Sequence, residues 1–474
     1  MSEKKSFYIT TTLPYVNAEP HIGFAMEIIR ADVIARYKKL LGDEVFFNTG
    51  TDEHGQKIYD KAIEKGEDVQ AYVDKHAENF KSLIGLCGIS EDINFIRTTD
   101  EKHVQAAQEF WKKCDAAGDI YKKIYKIKYC IGCELEKTDS ELENGRCIVH
   151  PHLELEIREE ENYFFKFSKY SQALLDLYAK NPELVVPDFR FNEIKAFVER
   201  GLEDFSISRL KSKMPWGVPV PGDDDHVMYV WFDALVSYIS TLDWPNEATF
   251  NEFWGNGTPT QYAGKDNLRQ QSAMWQAMLL SAGLPNSHKI VINGFINSGG
   301  QKMSKSLGNV ISPKDVVGKY GTDALRYFVC RELSTFEDSD WTDERIKDVY
   351  NGNLANGLGN LVSRIMQLAQ ANLDKPVEIP EFENMSDFFS LLEKFEIGRA
   401  ADFIWAKIGE LDSFIQENKP WESKDKEVIS NMVIMLYSIA RMLNVFMPET
   451  SSNIKELIKA NKKPEKPLFA RIDA

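Results

Sequence analysis

Two short segments carry residue types that handle phosphate. In the first, Leu13, Pro14 and Tyr15 lead into His21-Ile22-Gly23-Phe24 at the start of a helical pattern. A helix N-terminus offers unsatisfied N–H groups and the positive end of its dipole to an anion. A glycine one turn in lets a nucleotide approach the backbone, and His21 beside it can donate to phosphate oxygens. Taken alone, this short pattern reads more readily as a solvent-facing histidine near a helix cap. The second segment is more specific: Gln301-Lys302-Met303-Ser304-Lys305-Ser306 in a glycine-flanked loop. Lys302 and Lys305 on such a loop can close over a triphosphate and neutralise charge that develops during in-line displacement.

A third constellation suits a metal. Cys130-x-x-Cys133 is followed, after thirteen intervening residues, by Cys147-x-x-His150. Two such hairpins give four ligands the tetrahedral arrangement of structural zinc, with no open position for catalysis. Gly132 and Gly145 ease the turns, and His152 is an alternative to His150. Cys87, Cys114 and Cys330 have no partners in sequence and read as core or surface thiols.

The elements that position these groups follow a recognisable order. Residues 6–12 (SFYITTT) read as a strand, rich in aromatic and β-branched types. Pro14 and Pro20 bracket a loop, after which Ile22, Ala25, Met26, Ile29, Val33 and Tyr37 recur at helical spacing. Residues 44–48 form a second strand ending in TGTDEHG. Strand, helix, strand opens a parallel α/β unit, whose ligands sit beyond the carboxyl ends of the strands. Composition shifts from about residue 118 to KMPWGVPVPGDDD, which ends near 224, as expected for an insertion that leaves the sheet and returns. Strand-like runs follow at 260–263 and 289–293, and from Asp343 onward the pattern is helical.

Composition bounds the rest. A chain of 474 residues has room for two to four domains, and 43% hydrophobic with 27% charged residues is an ordinary globular balance. The polar start argues against a secretory signal, and no apolar stretch approaches the ~20 residues of a membrane helix. Six cysteines, half of them in one segment, suggest a reducing, cytoplasmic protein and no disulfide scaffold. The net charge of −16 neither supports nor excludes an RNA partner, because local fields decide binding. Lys455, Lys459, Lys462, Lys463 and Lys466 near the end read as a solubilising tail.

The two phosphate segments together closely resemble the paired ATP motifs of class I aminoacyl-tRNA synthetases. TTLPYVN, GTDEHGQK, FIRTTDEKH, YVWFDALVSY and AGKDNLRQQSAMWQAM resemble the methionine-specific branch, and the likeness runs from Phe7 to the terminal LFARID. The resemblance implies a Rossmann-type parallel-sheet catalytic domain in two halves, 1–117 and 225–330. It implies a zinc-knuckle connective insertion at 118–224, a stem-contact segment at 331–350 and an all-α anticodon-binding bundle at 351–474. It implies activation of methionine by ATP with Mg2+ to an adenylate, followed by transfer to tRNA(Met). His21, Lys302 and Lys305 then act on the phosphates, with Gly23, Gly264 and Asp266 around the nucleotide. Asp52 anchors the ammonium, and Leu13, Tyr15, Trp231, Tyr238, Gln271 and Trp275 surround the side chain. Without the resemblance, the tryptophans read as core and Asp52 as a helix cap. Asn360, Arg364 and Trp421 match anticodon-reading positions, where an aromatic ring stacks on a splayed base. One structural zinc of the single-knuckle form is implied, and correction of homocysteine inside the synthetic site is a family expectation. The chain stops just after LFARID, without an appended RNA-binding domain, so a monomer without membrane association is expected.

Two positions depart from the family pattern. Phe24 stands where a second histidine is usual, and Gln271 where a pocket histidine is common. Two other readings remain at this point: a cysteinyl enzyme, whose zinc would sit in the amino-acid pocket, and a non-enzymatic paralogue that binds tRNA or zinc.

Overall fold

A computed structural model describes residues 4–17, 19–130, 135–137, 142–148, 151–303, 308–380 and 385–472. Its centre is a six-stranded parallel sheet in the order Asn94–Arg97, Glu44–Thr51, Ser6–Thr11, Thr258–Gly264, Lys289–Asn293, Val185–Val186. Parallel strands are covered on both faces and so carry continuous apolar runs. Ser6–Thr11 shows this, with every residue after Ser6 buried. Strand order reverses between Ser6–Thr11 and Thr258–Gly264, which places a crevice beyond their carboxyl ends.

Helix Ile22–Leu40 crosses back from the first strand to the second. It is buried almost all round, which makes it a core helix rather than an amphipathic surface helix. Two buried arginines hold it in place. Arg30 donates to the carbonyl oxygens of Val329, Leu333, Ser334 and Thr335. Arg326 donates to Asp32 at 2.8 Å and to the Phe446 carbonyl at 2.7 Å. Burial raises the Asp32 carboxyl, but Arg326 and Arg36 outweigh it and hold the group below the usual carboxylate range.

The segment after Gly118 leaves the sheet as a long antiparallel pair, Ile120–Cys130 with Glu156–Phe165. Val185–Val186, inside the stretch read as an insertion, pairs with Ile290 and Val291 and supplies the edge of the parallel sheet. The described residues from Asp343 to Ala460 form helices joined by loops, as the sequence pattern indicates. One of them corrects an expectation. Helix Lys426–Phe446 has 21 residues and is long and apolar enough to cross a membrane by those measures alone. Here Met432, Val433, Leu436, Ile439 and Leu443 are buried against Asn360–Asn372, Ile397–Asn418 and Pro448–Ala460. Its apolar side is the core of the bundle, which suffices to explain its composition.

Candidate active site

A cavity of about 1000 Å³ opens at the carboxyl end of the sheet, where the strand order reverses. Its floor comes from the two chain segments that follow the first and second strands. After the first strand, the backbone of Pro14–Val16 pairs with Asp52: the Asp52 N–H donates to the Pro14 carbonyl at 2.9 Å, and Val16 N–H returns to Asp52 at 3.2 Å. Leu13, Tyr15 and Asp52 therefore reach the cavity together. The Asp52 side chain is buried, and its Oδ1 has no hydrogen-bond partner among the described residues. Burial, then the neighbouring Asp233, pushes its carboxyl well above the ordinary range. Asp233 in turn pairs with His54 Nδ1 at 2.7 Å. A buried carboxylate with an unmatched oxygen is a receptor for a cation, because an ammonium supplies both the charge and the missing hydrogen bonds.

Trp231, Tyr238 and Gln271 close the other side. Gln271 Nε2 donates to Tyr238 Oη at 2.5 Å. Trp275 lies behind this wall rather than in the lining: it is fully buried, stacked on Phe110 at 5.4 Å, with Tyr238 edge-on at 6.0 Å. Phe24 lines the cavity and packs edge-on against Phe80 at 5.3 Å, an apolar contact at the position where the resemblance leads us to expect a second histidine.

The end of the cavity where phosphate is expected from the sequence is built by helix Ile22–Leu40. His21 is its N-cap, with Nδ1 accepting from the Gly23 N–H at 3.1 Å. That bond makes Nδ1 the acceptor, so the neutral ring carries its proton on Nε2. Gly23 is needed for this curl. A Cβ there would lie 2.9 Å from His21 Cε1 and 4.0 Å from Met303 Cε. Gly23→Ala should displace the ring and, on the ATP-dependent activity expected from the sequence, lower kcat/KM for ATP in pyrophosphate exchange by about 10- to 100-fold. An unchanged value would show that the cap geometry is irrelevant to the nucleotide. The same clearance brings the glycine-flanked loop to the helix. Met303 lines the cavity, and the Ile22 N–H donates to Ile311 O at 3.0 Å just beyond the loop. Lys305 and the Lys302 side chain lie outside the described residues, but the chain on either side of them borders the helix start.

Gly264 and Asp266 form the rim between these two ends. A Cβ on Gly264 would lie 2.9 Å from Asp266 Oδ1 and 3.8 Å from Glu27 Oε2, so glycine keeps both carboxyls accessible. Glu27 is a functional candidate that the sequence reading missed. It lines the cavity from the first helix and accepts from the Thr12 N–H at 2.9 Å and from the Thr12 hydroxyl. Burial raises its carboxyl to about 8. The available signal was a single acid within the apolar start of the helix, one turn beyond Gly23.

Two further groups sit away from the cavity. Cys130 ends one strand and Cys147 another, both buried. Cys133 and His150 lie outside the described residues, while His152 is exposed. In the helical region, Asn360, Arg364 and Trp421 share a cleft of about 890 Å³ with Trp405 and Asp412. Arg364 pairs with Asp412, and Trp421 is 44% exposed, unusual for so large an apolar ring.

This geometry has close relatives. The family described as tRNA synthetases class I (M) matches residues 7–141 and 131–366. The methionine–tRNA ligase of Thermotoga maritima is 39% identical over 99% of this chain and 80% of its own. The chain belongs to that family. The enzyme of the same name from Nostoc is also 39% identical, over 95% of this chain and 89% of its own. Mycobacterium tuberculosis methionyl-tRNA synthetase in complex with methionyl-adenylate has the same fold, with a TM-score of 0.88 at 33% identity over 98% of this chain and 100% of that one. The free form of that synthetase aligns with a TM-score of 0.81 at 29% identity, over 100% of this chain and 99% of that one. Membership fits the expected α/β architecture and the placement of the cavity at the sheet's switch point.

Proposed function

We propose that this chain is a methionine–tRNA ligase that activates methionine with ATP and transfers the methionyl group to tRNA(Met). The observation that carries the reading is one cavity bordered by His21 at a helix start, the approach to the lysine-bearing loop, and the unmatched Asp52 carboxylate. The methionine carboxylate attacks the α-phosphorus of ATP, which enters with Mg2+ as its substrate complex, and pyrophosphate leaves. Asp52 holds the ammonium, so the carboxylate of the same amino acid points toward the phosphates. Leu13, Tyr15, Trp231 and Tyr238 surround the side chain with the apolar and aromatic surface a thioether favours. His21 Nε2, Lys302 and Lys305 take the phosphates, and Gly264 with Asp266 admits the ribose. Little covalent work falls to the protein, and positioning with electrostatic stabilisation sets the rate.

Amino-acid-dependent ATP–pyrophosphate exchange tests the proposal. Exchange with methionine alone supports it, exchange with cysteine turns it to the cysteinyl reading, and none with any amino acid makes the chain a binding paralogue. A cytoplasmic monomer of 54.3 kDa is part of this proposal, and sedimentation checks the oligomeric state.

The helical region, 351–474, is assigned to the anticodon, with Trp421 stacking on a base and Asn360 and Arg364 reading edges. Stacking of one base is worth about 1–3 kcal/mol, so Trp421→Ala should lower kcat/KM for tRNA(Met) by roughly 5- to 150-fold. The loss belongs to aminoacylation and not to tRNA-independent exchange. Equal losses in both assays would instead mark a folding defect.

Cys130, Cys133, Cys147 and His150 are assigned to one structural zinc within the connective segment, 118–224. The donor set fits: thiolates are soft ligands, and the two described cysteines are buried rather than exposed to oxidation. Purified protein should contain about one zinc per chain, and Cys130→Ser should release it and lower the melting temperature. Metal analysis showing no zinc in the parent protein would remove the assignment.

A further inference from the structure

Behind the cavity wall runs a chain of buried amides whose polarity is set from one end. Gln276 Oε1 accepts from the Ser287 backbone N–H at 3.1 Å and from Asn286 Nδ2 at 3.1 Å. A backbone N–H can only donate, so this amide has one orientation. Its Nε2 donates to the Gln271 carbonyl oxygen at 2.9 Å and to Ser287 Oγ at 3.0 Å. The Ser287 hydroxyl donates onward to Gln261 Oε1 at 2.5 Å. Gln261 Nε2 donates to Gln271 Oε1 at 2.5 Å, and Gln271 Nε2 donates to Tyr238 Oη at 2.5 Å. Gln261, Gln271, Gln276, Ser287 and Tyr238 are all buried. Reversing the two outer amides would strand the Ser287 proton without an acceptor in a dry site. The chain therefore ends with Tyr238 as an acceptor from Gln271. Its own hydroxyl proton is left for a partner on the cavity side, which Tyr238 lines.

We propose that Gln261, Ser287 and Gln276 are positioning residues that act through Gln271 to hold the Tyr238 hydroxyl as a donor toward the side chain of the bound amino acid. Resting on the function proposed above, this gives the pocket a means of telling a thioether sulfur from a methylene. The sulfur is a weak acceptor, whereas a methylene accepts nothing. Because amides do not titrate, the donor direction stays the same across neutral pH, unlike one set by a histidine ring.

The test compares methionine with norleucine, its methylene analogue, as substrates for pyrophosphate exchange by the full chain. A carboxyl buried at residue 261 keeps its proton until the pH passes its raised pKa, so Gln261→Glu is compared with the parent toward alkaline pH. Once ionised, both its oxygens accept, and Gln271 must turn its Nε2 toward residue 261 and its Oε1 toward Tyr238. The Tyr238 hydroxyl then donates backward, and the methionine-to-norleucine ratio of kcat/KM should fall about 3- to 10-fold. Gln261→Met removes the direction without reversing it and should lower the ratio less. In a Tyr238→Phe background, Gln261→Glu should move the ratio no further, since the group it acts through is gone. A packing defect would lower both substrates together in either background. The proposal is overturned if both Gln261 variants keep the parent ratio within about twofold, or if Gln261→Glu shifts it equally without the Tyr238 hydroxyl. Should Gln261→Glu fail to fold, Ser287→Ala removes the donor to Gln261 and must lower the ratio by itself. A parent protein inactive with methionine defeats the functional reading along with the relay. An active parent whose variants keep the ratio defeats the relay alone.

Discussion

Asp52→Asn should raise the KM for methionine and lower kcat/KM in exchange by about 10²- to 10⁴-fold, the roughly 3–5 kcal/mol of a broken buried ion pair. The change is nearly isosteric, and Asn can still accept one hydrogen bond, so the loss isolates the charge. Because the ammonium is held equally before and during the reaction, the effect falls on KM more than on kcat. Stability should move the other way. Asp52 is buried and lies near Asp233, and both raise its carboxyl above the unfolded value. Between those two values the folded state keeps a proton that the unfolded state releases, so parent stability declines as pH rises. Asn carries no such penalty. Asp52→Asn should therefore melt at a higher temperature than the parent at pH 8, with the difference shrinking toward pH 4. A variant that melts lower at every pH would make Asp52 a structural residue, and one with the parent KM would remove it from the ammonium site.

The parts of this site that the sequence disclosed are those written as contiguous strings. Ser6–Thr11 was legible because a strand buried on both faces needs an unbroken run of β-formers, and His21 because the helix begins at the next residue. The zinc and lysine-loop assignments also rest on local spacing and stand as proposals, since Cys133, His150 and Lys305 lie outside the described residues. Parts assembled across the chain were not legible. Val185–Val186 is too short for any periodicity, and its place in the sheet is set by Lys289–Asn293, about a hundred positions later. Trp275 and Trp231 look alike as aromatic residues in helical patterns, yet one packs on Phe110 behind the wall and the other faces the cavity. Sequence pattern alone does not say which side of a buried helix faces a void. Gln261, Gln276 and Ser287 gave no signal at all. Three uncharged polar residues acquire meaning only when a strand, a helix and a loop bring the amides of Gln261 and Gln276 within 3.0 Å of the Ser287 hydroxyl. Glu27 was visible as an acid in an apolar helix start, but its role depends on Thr12 and Gly264 closing around it.

Lys305→Ala should lower kcat for methionine-dependent exchange by about 10²- to 10³-fold while the KM for methionine stays near the parent value. Lys305 lies outside the described residues, but the chain leading to it is well defined. Ile296–Ser298 pairs antiparallel with Gln301–Lys302 around Gly299 and Gly300. Both glycines have left-handed φ, 60° and 75°, as a two-residue turn of this hand requires. The hairpin is pinned from below, with Ile296–Ser298 parallel to Ser339–Trp341 and the Gly300 N–H donating to Asp340 Oδ1 at 2.7 Å. It delivers Met303 to the cavity, facing Gly23. Met303, the last described residue before Lys305, therefore borders the helix N-terminus to which the phosphates are assigned. Charge accumulates on those phosphates only as the bond to pyrophosphate breaks, so an ammonium there stabilises the transition state and not bound methionine. Lys302 should matter less, since it belongs to the paired strand and its backbone is committed to the hairpin. If Lys305→Ala exchanges within a few-fold of the parent, the phosphate charge must be met by His21 and the helix start alone. The loop would then serve only to cover the cavity.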